Sequence, residues 1–235
     1  MRVLLQLAFI LHRRPYRNSS LLLDVFCREQ GRLSLVARGA ISPRSGLKGI
    51  LQPFRPLLLS WSGKGELCTL IGAEEEKMPV PLPPKRVLSG LYVNELLMYL
   101  LPRRDACPDL FTAYANLLKE LAVAANEEPP LRRFEKCLLD ELGYGLSLEQ
   151  EAVSGLPIVA ENHYCYVLDQ GVRAVGEAPV GISISGRGLL ALRDGIFDTP
   201  DVLQEAKHLM RAALLKQLQG RVLKTRELYR IKREQ

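Results

Sequence analysis

Residues 20–37, SLLLDVFCREQGRLSLVA, read as two strands around a turn. Ser20–Cys27 is apolar apart from Asp24, Gln30-Gly31 supplies the turn, and Leu33, Leu35 and Ala37 alternate with Arg32, Ser34 and Val36. That period of two points to a sheet with one buried face. Upstream, Val3–Leu11 is another short apolar run suited to a strand. Downstream, Gly39–Gly49 holds three glycines and one proline in eleven residues, so it reads as a loop. Pro56–Trp61 and Glu66–Ile71 then flank Ser62-Gly63-Lys64-Gly65, a compact hairpin turn.

Five short strands in about 75 residues match a small closed barrel, and the OB-fold is the common solution at that size. Glu74–Lys77 ends the β region, and Pro79, Pro81, Pro83 and Pro84 make a stiff linker, since each proline fixes φ and removes a donor. The boundary is placed there, giving an OB-fold domain at 1–80 and a helical domain at 81–235. Apolar periodicity predicts helices over Val87–Leu101, Asp109–Asn126 and Leu131–Leu142, the last closed by Gly143. Thr199-Pro200 starts a fourth, which runs to about Gln219 before Gly220, with Thr at N-cap and Pro at N1. Lys224–Arg233 is a last short helix. Tyr144–Asp194 is less regular, with a small hairpin around Asp169-Gln170-Gly171. The class is therefore α+β: a small β-barrel, then a mainly α-helical domain with a small irregular or β insertion.

The chain has 235 residues, 47% of them hydrophobic and 25% charged, ordinary globular values that exclude wholesale disorder. Its net charge of +6 is unevenly spread: residues 1–80 hold 12 Lys and Arg against 6 Asp and Glu, and the remaining 20 and 20 cancel. Such asymmetry suggests that the barrel meets a polyanion. The five cysteines are dispersed and form no CxxC pair, against zinc-ribbon and thioredoxin-like sites and in keeping with reduced thiols in cytosol. No apolar run reaches membrane-spanning length. Val3–Leu11 is followed by His12-Arg13-Arg14-Pro15 rather than a small-residue cleavage site, so it is not read as a signal peptide.

Catalytic signals are absent from the pattern. His12, His163 and His208 are far apart, and no HExxH or GxSxG occurs. Gly181–Gly188 has the glycine spacing of a phosphate loop, but Arg187 and Gly188 stand where Lys and Ser or Thr are needed. It reads as a plain turn. No enzyme activity, cofactor or metal is expected.

The basic segment is the strongest functional signal. Arg28, Arg32, Arg38, Arg44, Lys48, Arg55 and Lys64 face one acid, Glu29. Gly39, Gly46 and Gly49 let backbone approach phosphates, and Tyr16, Phe54 and Trp61 are aromatic candidates for base stacking. The candidate DNA contacts are Arg14, Arg17, Arg38, Arg44, Lys48, Arg55 and Lys64, joined by Lys224 and Arg226 near the basic C-terminus. There, a phosphate contact and a favourable helix-dipole interaction are both open. Leu131, Phe134, Leu138, Leu139 and Leu142 form an apolar stripe beside Arg132, Arg133 and Lys136. The stripe suits a core helix, or a groove rimmed by arginines that takes an acidic, apolar-ended tail.

Four segments in order resemble the RecO family of bacterial recombination mediators. They are Arg38–Phe54, ending in LQPF; Gly65–Leu70; Pro130–Gly145; and Leu223–Leu228. The resemblance implies an N-terminal OB-fold, a helical domain and no catalysis. It implies binding of single- and double-stranded DNA, annealing of complementary strands, and, with RecR, help for RecA in displacing single-stranded-DNA-binding protein. Its residues would place DNA at Arg38, Arg44, Lys48 and Arg55. The acidic tail of single-stranded-DNA-binding protein would fall on Leu131, Arg132, Arg133, Phe134, Leu138 and Leu142. Some members carry a four-cysteine zinc module in the C-terminal part; Cys165 is alone in that region, so a zinc-free version is expected. A cytoplasmic, nucleoid-associated bacterial protein follows, with no membrane partner. The competing expectation is a tail-binding adaptor with incidental DNA contact.

Overall fold

The computed structural model describes residues 2–42, 45–76, 81–176 and 180–233, the last four by backbone alone. In chain order the strands are β1 Arg2–Tyr16, β2 Ser20–Cys27, β3 Gly31–Ala37, β4 Leu57–Ser62, β5 Leu67–Glu75, β6 His163–Val167, β7 Gly171–Ala174 and β8 Ile182–Ser185. The helices are α1 Leu47–Ile50, α2 Val87–Leu100, α3 Pro108–Val123, α4 Glu128–Glu141, α5 Gly186–Asp194, α6 Pro200–Gln217 and α7 Lys224–Arg233. They form two compact units: residues 1–123 with 223–235, and residues 124–222.

In the first unit β1 to β5 close into a barrel in the order β1-β2-β3-β5-β4. β1 makes closure possible by being long. Ala8–Tyr16 pairs with β2, while Arg2–Ala8 pairs with β4, and bulges interrupt both ladders. Bulges bend a strand and raise its twist. The parallel β3–β5 pair shuts the other side. Inward alternation holds as the sequence predicts: Leu33, Leu35 and Ala37 are buried with Ile10, Leu23, Val25, Leu57, Leu59 and Trp61. β1 continues five residues beyond the predicted Leu11, and the glycine-rich loop contains the one-turn helix α1.

The outer wall of β1–β3 is covered, not solvated. Phe9 and Phe26 meet Phe111 and Tyr114 of α3 at centroid separations of 5.1–6.3 Å. Each such pair adds about 0.5–1.5 kcal/mol beyond its area. A polar relay crosses the same layer: the Tyr114 hydroxyl donates to Asn94 Oδ1 (2.6 Å), and Asn94 Nδ2 donates to the Leu11 carbonyl (2.8 Å). Arg32 donates from Nε and Nη2 to the Leu101 carbonyl at 3.1 and 2.8 Å. α7 packs on α2. There Glu95 accepts from the Lys224 and Thr225 amides and the Thr225 hydroxyl, at 2.8, 3.0 and 2.6 Å. A carboxylate thus meets the otherwise orphaned donors of a helix N-terminus. Pro79 and Lys77 lie outside the described residues.

The second unit packs α4, α5 and α6 with a three-stranded antiparallel sheet in the order β7-β6-β8. The predicted hairpin is β6–β7, its turn carrying Asp169 and Gly171 at φ of +65° and +89°. Gly143 closes α4 at φ +77°, and Thr199 caps α6 by accepting from the Val202 amide. Gly181–Gly188 corrects the sequence expectation of a plain turn. It is a strand running directly into a helix, β8 into α5, with Ser185 as N-cap. The helix start is already filled. Ser185 Oγ accepts from the Gly188 amide and donates to Glu205 Oε2 at 2.5 Å, and the Ser185 amide also reaches Glu205. A carboxylate in that position opposes a phosphate. Gly186 is dictated by close approach, since a Cβ there would lie 1.9 Å from the Val159 carbonyl oxygen. Gly186→Ala is expected to destabilise the second unit by about 3 kcal/mol, measured as a lower urea midpoint.

Candidate nucleic-acid interface

Strand direction sorts the barrel bases. β1, β3 and β5 finish at the end where β2 and β4 begin. The β1–β2 turn and the β3–β4 loop therefore share one end of the barrel. Register fixes this closely: Tyr16 pairs with Ser20, Leu21 with Ala37, and the Ile41 amide donates to the Ser19 carbonyl at 3.0 Å. Arg14, Arg17, Arg38 and Lys48 are exposed at this end and make no ion pair among the described residues. Arg17 holds φ +54° in the turn, and its guanidinium sits 5.3 Å from the Tyr16 ring centroid. Gly39, at φ +68°, follows Arg38.

The loop behind these bases is pinned to the barrel. Leu51 is fully buried and its carbonyl accepts from Arg13 Nη1 at 3.0 Å; Gln52 Nε2 donates to the Lys48 carbonyl at 2.7 Å. Arg55 also belongs to this end but is paired with Glu75 at 2.8 Å, where β4 begins and β5 ends.

Other predicted contacts lie elsewhere. Lys64 is in the β4–β5 turn at the opposite end, where Ser62 pairs with Arg2. Lys224 and Arg226 are on α7, off the barrel. Arg44 lies outside the described residues, as do the side chains of Arg230, Lys232 and Arg233. Arg32, counted among the loop bases, is a buried anchor for the end of α2. Burial, then the neighbouring Arg103, pulls its pKa down. Of the three aromatic candidates, Trp61 is in the barrel core and Phe54 packs towards α2. Tyr16 alone stands among the exposed bases.

The α4 stripe is packed. Leu131, Phe134 and Leu138 are buried, and Leu142 is half-buried. Arg132 is 5% exposed, with Nη2 2.8 Å from Glu135 Oε1 and 3.7 Å from Glu128 Oε2. Arg133 is exposed on α4 and donates to the Gly195 carbonyl at 3.3 Å, closing α5. The alternatives left open by the sequence thus resolve towards a core helix, with Arg133 the surface member.

Two basic residues escaped the sequence reading. Arg103 donates to Ser34 Oγ at 2.7 Å and lies 3.7 Å from Asp24; Arg104 donates to the Gly65 carbonyl and to Cys68 Sγ. They tie the α2–α3 connection to the barrel wall. The visible signal was Pro102-Arg-Arg104 directly after a predicted helix end. No group of three or more His, Cys, Asp or Glu among the described residues is arranged to hold a metal ion.

The family model described as "Recombination protein O N terminal" matches residues 1–77, and "Recombination protein O C terminal" matches residues 83–227. The chain belongs to the RecO family. Among its curated relatives, "DNA repair protein RecO" of Methylococcus capsulatus is 48% identical over 229 residues, covering 97% of this chain and 94% of the relative. The protein of the same name from Aliivibrio fischeri is 45% identical over 225 residues, covering 96% and 94%. That from Azoarcus sp. is 40% identical over 227 residues, covering 95% and 93%. The match to RecO spans the barrel and the helical part alike. No helix among the described residues is long and apolar enough to cross a membrane.

Proposed function

We propose that this RecO-family chain is a recombination mediator in DNA repair. It binds single- and double-stranded DNA, anneals complementary strands and, with RecR, helps RecA load onto DNA coated by single-stranded-DNA-binding protein. It catalyses no reaction and works in the bacterial cytoplasm at the nucleoid. The observation that carries the reading is the barrel end where Arg14, Arg17, Arg38 and Lys48 stand exposed, Arg17 beside the Tyr16 ring. Guanidinium and ammonium groups neutralise phosphates whatever the base sequence. A tyrosine ring stacks on any base. A strand held by its backbone keeps its base edges free to pair, which is what annealing requires. The names of the relatives support the repair context.

The test is annealing of two complementary fluorescent oligonucleotides. The chain is expected to speed pairing by about ten-fold at low salt. An unchanged rate would contradict the proposal.

The acidic tail of single-stranded-DNA-binding protein is the second partner proposed. Because Leu131, Arg132, Phe134 and Leu138 are buried, Arg133 on α4 and the half-buried Leu142 just past it are the expected tail contacts left to meet it. Arg133→Glu is expected to weaken binding of a labelled acidic, aromatic-ended peptide by about five-fold, read by anisotropy. Unchanged affinity would place the tail elsewhere.

A further inference from the structure

Phe54 is the strained non-glycine residue among the described residues of the β3–β4 loop. It lies between Pro53 and Pro56 and holds φ at +68°. Proline followed by a residue of positive φ is the order of a type II corner, whose second central position favours glycine. A bulky side chain there is an outlier that surrounding contacts must offset. Those contacts are on α2. A Cβ placed at Gly90 would lie 2.8 Å from Phe54 Cε1, 3.0 Å from Cζ and 2.9 Å from Leu82 Cδ1. The ring therefore rests on the backbone of a glycine inside a helix, a place where glycine is otherwise unfavourable.

We infer that Phe54, seated on Gly90, positions the basic loop, so that nucleic-acid affinity depends on a residue pair that touches no phosphate. The inference rests on the nucleic-acid reading above. The path is short. Gln52, two residues before Phe54, holds the Lys48 carbonyl, and Leu51 between Gln52 and α1 is locked in the barrel core with its carbonyl on Arg13. With the ring removed, the corner loses the contact that selects its strained conformation. Residues 48–52 are then held from the barrel side, and Lys48 no longer presents a fixed charge at this end of the barrel.

The experiment is an equilibrium titration of the full chain against a fluorescein-labelled oligo(dT), at several salt concentrations. Wild type, Lys48→Ala, Phe54→Ala and the double variant are compared; alanine removes the ring without the ease at positive φ that glycine would bring. Each single substitution is expected to weaken binding about five-fold and to flatten the salt slope by about 0.7, one single-strand phosphate contact. The double variant is expected to bind no worse than about either single one, because both remove the same contact. Losses that multiply, or wild-type affinity in Phe54→Ala, would overturn the inference. Gly90→Ala approaches the same contact from α2. Its methyl displaces the ring, and it should reproduce the Phe54→Ala affinity and slope while remaining folded by circular dichroism. Failure of the wild-type chain to bind at low salt is a separate outcome that overturns the nucleic-acid reading itself.

Discussion

Arg14→Glu, Arg38→Glu and Lys48→Glu introduced together are expected to weaken binding of an unstructured single strand by a factor of about 10³ at low salt. Under the proposed function, three favourable phosphate contacts would become three repulsive ones on a single end of the barrel. The loss should be similar for different base sequences, since phosphate contacts carry no sequence information. Lys64→Glu is the matched control. It changes net charge in the same direction but sits in the β4–β5 turn at the other end of β1. Its expected loss is about two-fold, the long-range share alone. Comparable losses from Lys64→Glu and from a single reversal at Arg38 would mean that overall charge, not this end of the barrel, drives binding.

Arg132→Ala is expected to destabilise the second unit by about 3–5 kcal/mol, the range for breaking a buried ion pair from one side. Glu135 is fully buried and its Oε1 lies 2.8 Å from the Arg132 guanidinium. Removing the cation leaves that carboxylate in a low-dielectric core without this partner. The paired substitution Arg132→Met with Glu135→Leu should recover most of the loss, because apolar replacements of similar volume avoid burying charge. Chemical denaturation of the three proteins measures both effects. A loss below about 1 kcal/mol in Arg132→Ala would show the pair to be solvated. The result also bears on peptide binding. A tail that no longer binds Arg132→Ala reports an unfolded unit, whereas Arg133→Glu leaves the core intact.

The barrel was legible because its signal is local. Alternation at Leu33, Leu35 and Ala37, and the glycine turn between Pro56–Trp61 and Glu66–Ile71, each lie within a few residues. What covers the barrel was not legible. Phe9 and Phe26 point outward against Phe111 and Tyr114, about a hundred residues away for Phe9, and period-two reasoning says nothing about the partner of an outward apolar side chain. The same holds for α7, whose grouping with α2 rests on Glu95 meeting the Lys224 and Thr225 amides. Gly181–Gly188 was misread for a related reason. Gly181, Gly186 and Gly188 answer Cys165, the Val159 carbonyl and Glu205 respectively, close approaches from other chain segments, and not a turn of their own.

The candidate interface divides along the same line. Counting bases found the segment, but not which of them are spoken for. Arg32 and Arg55 were indistinguishable from Arg38 by sequence, yet one anchors the Leu101 carbonyl and the other pairs with Glu75. Strand direction alone separates Lys64 from the rest. On α4, the arginines are neighbours in sequence and opposites in structure. Arg132 faces inward to Glu135 and Arg133 faces out to Gly195, as a rotation of about 100° per helical residue requires.

The central claim is tested most directly by titrating the full chain into a labelled, unstructured single strand across a range of salt concentrations. Contacts from about four bases predict a line of slope near −3 when log affinity is plotted against log salt. Tight binding at low salt should fade steeply towards physiological ionic strength. No binding at low salt, or an affinity that ignores salt, would contradict the account.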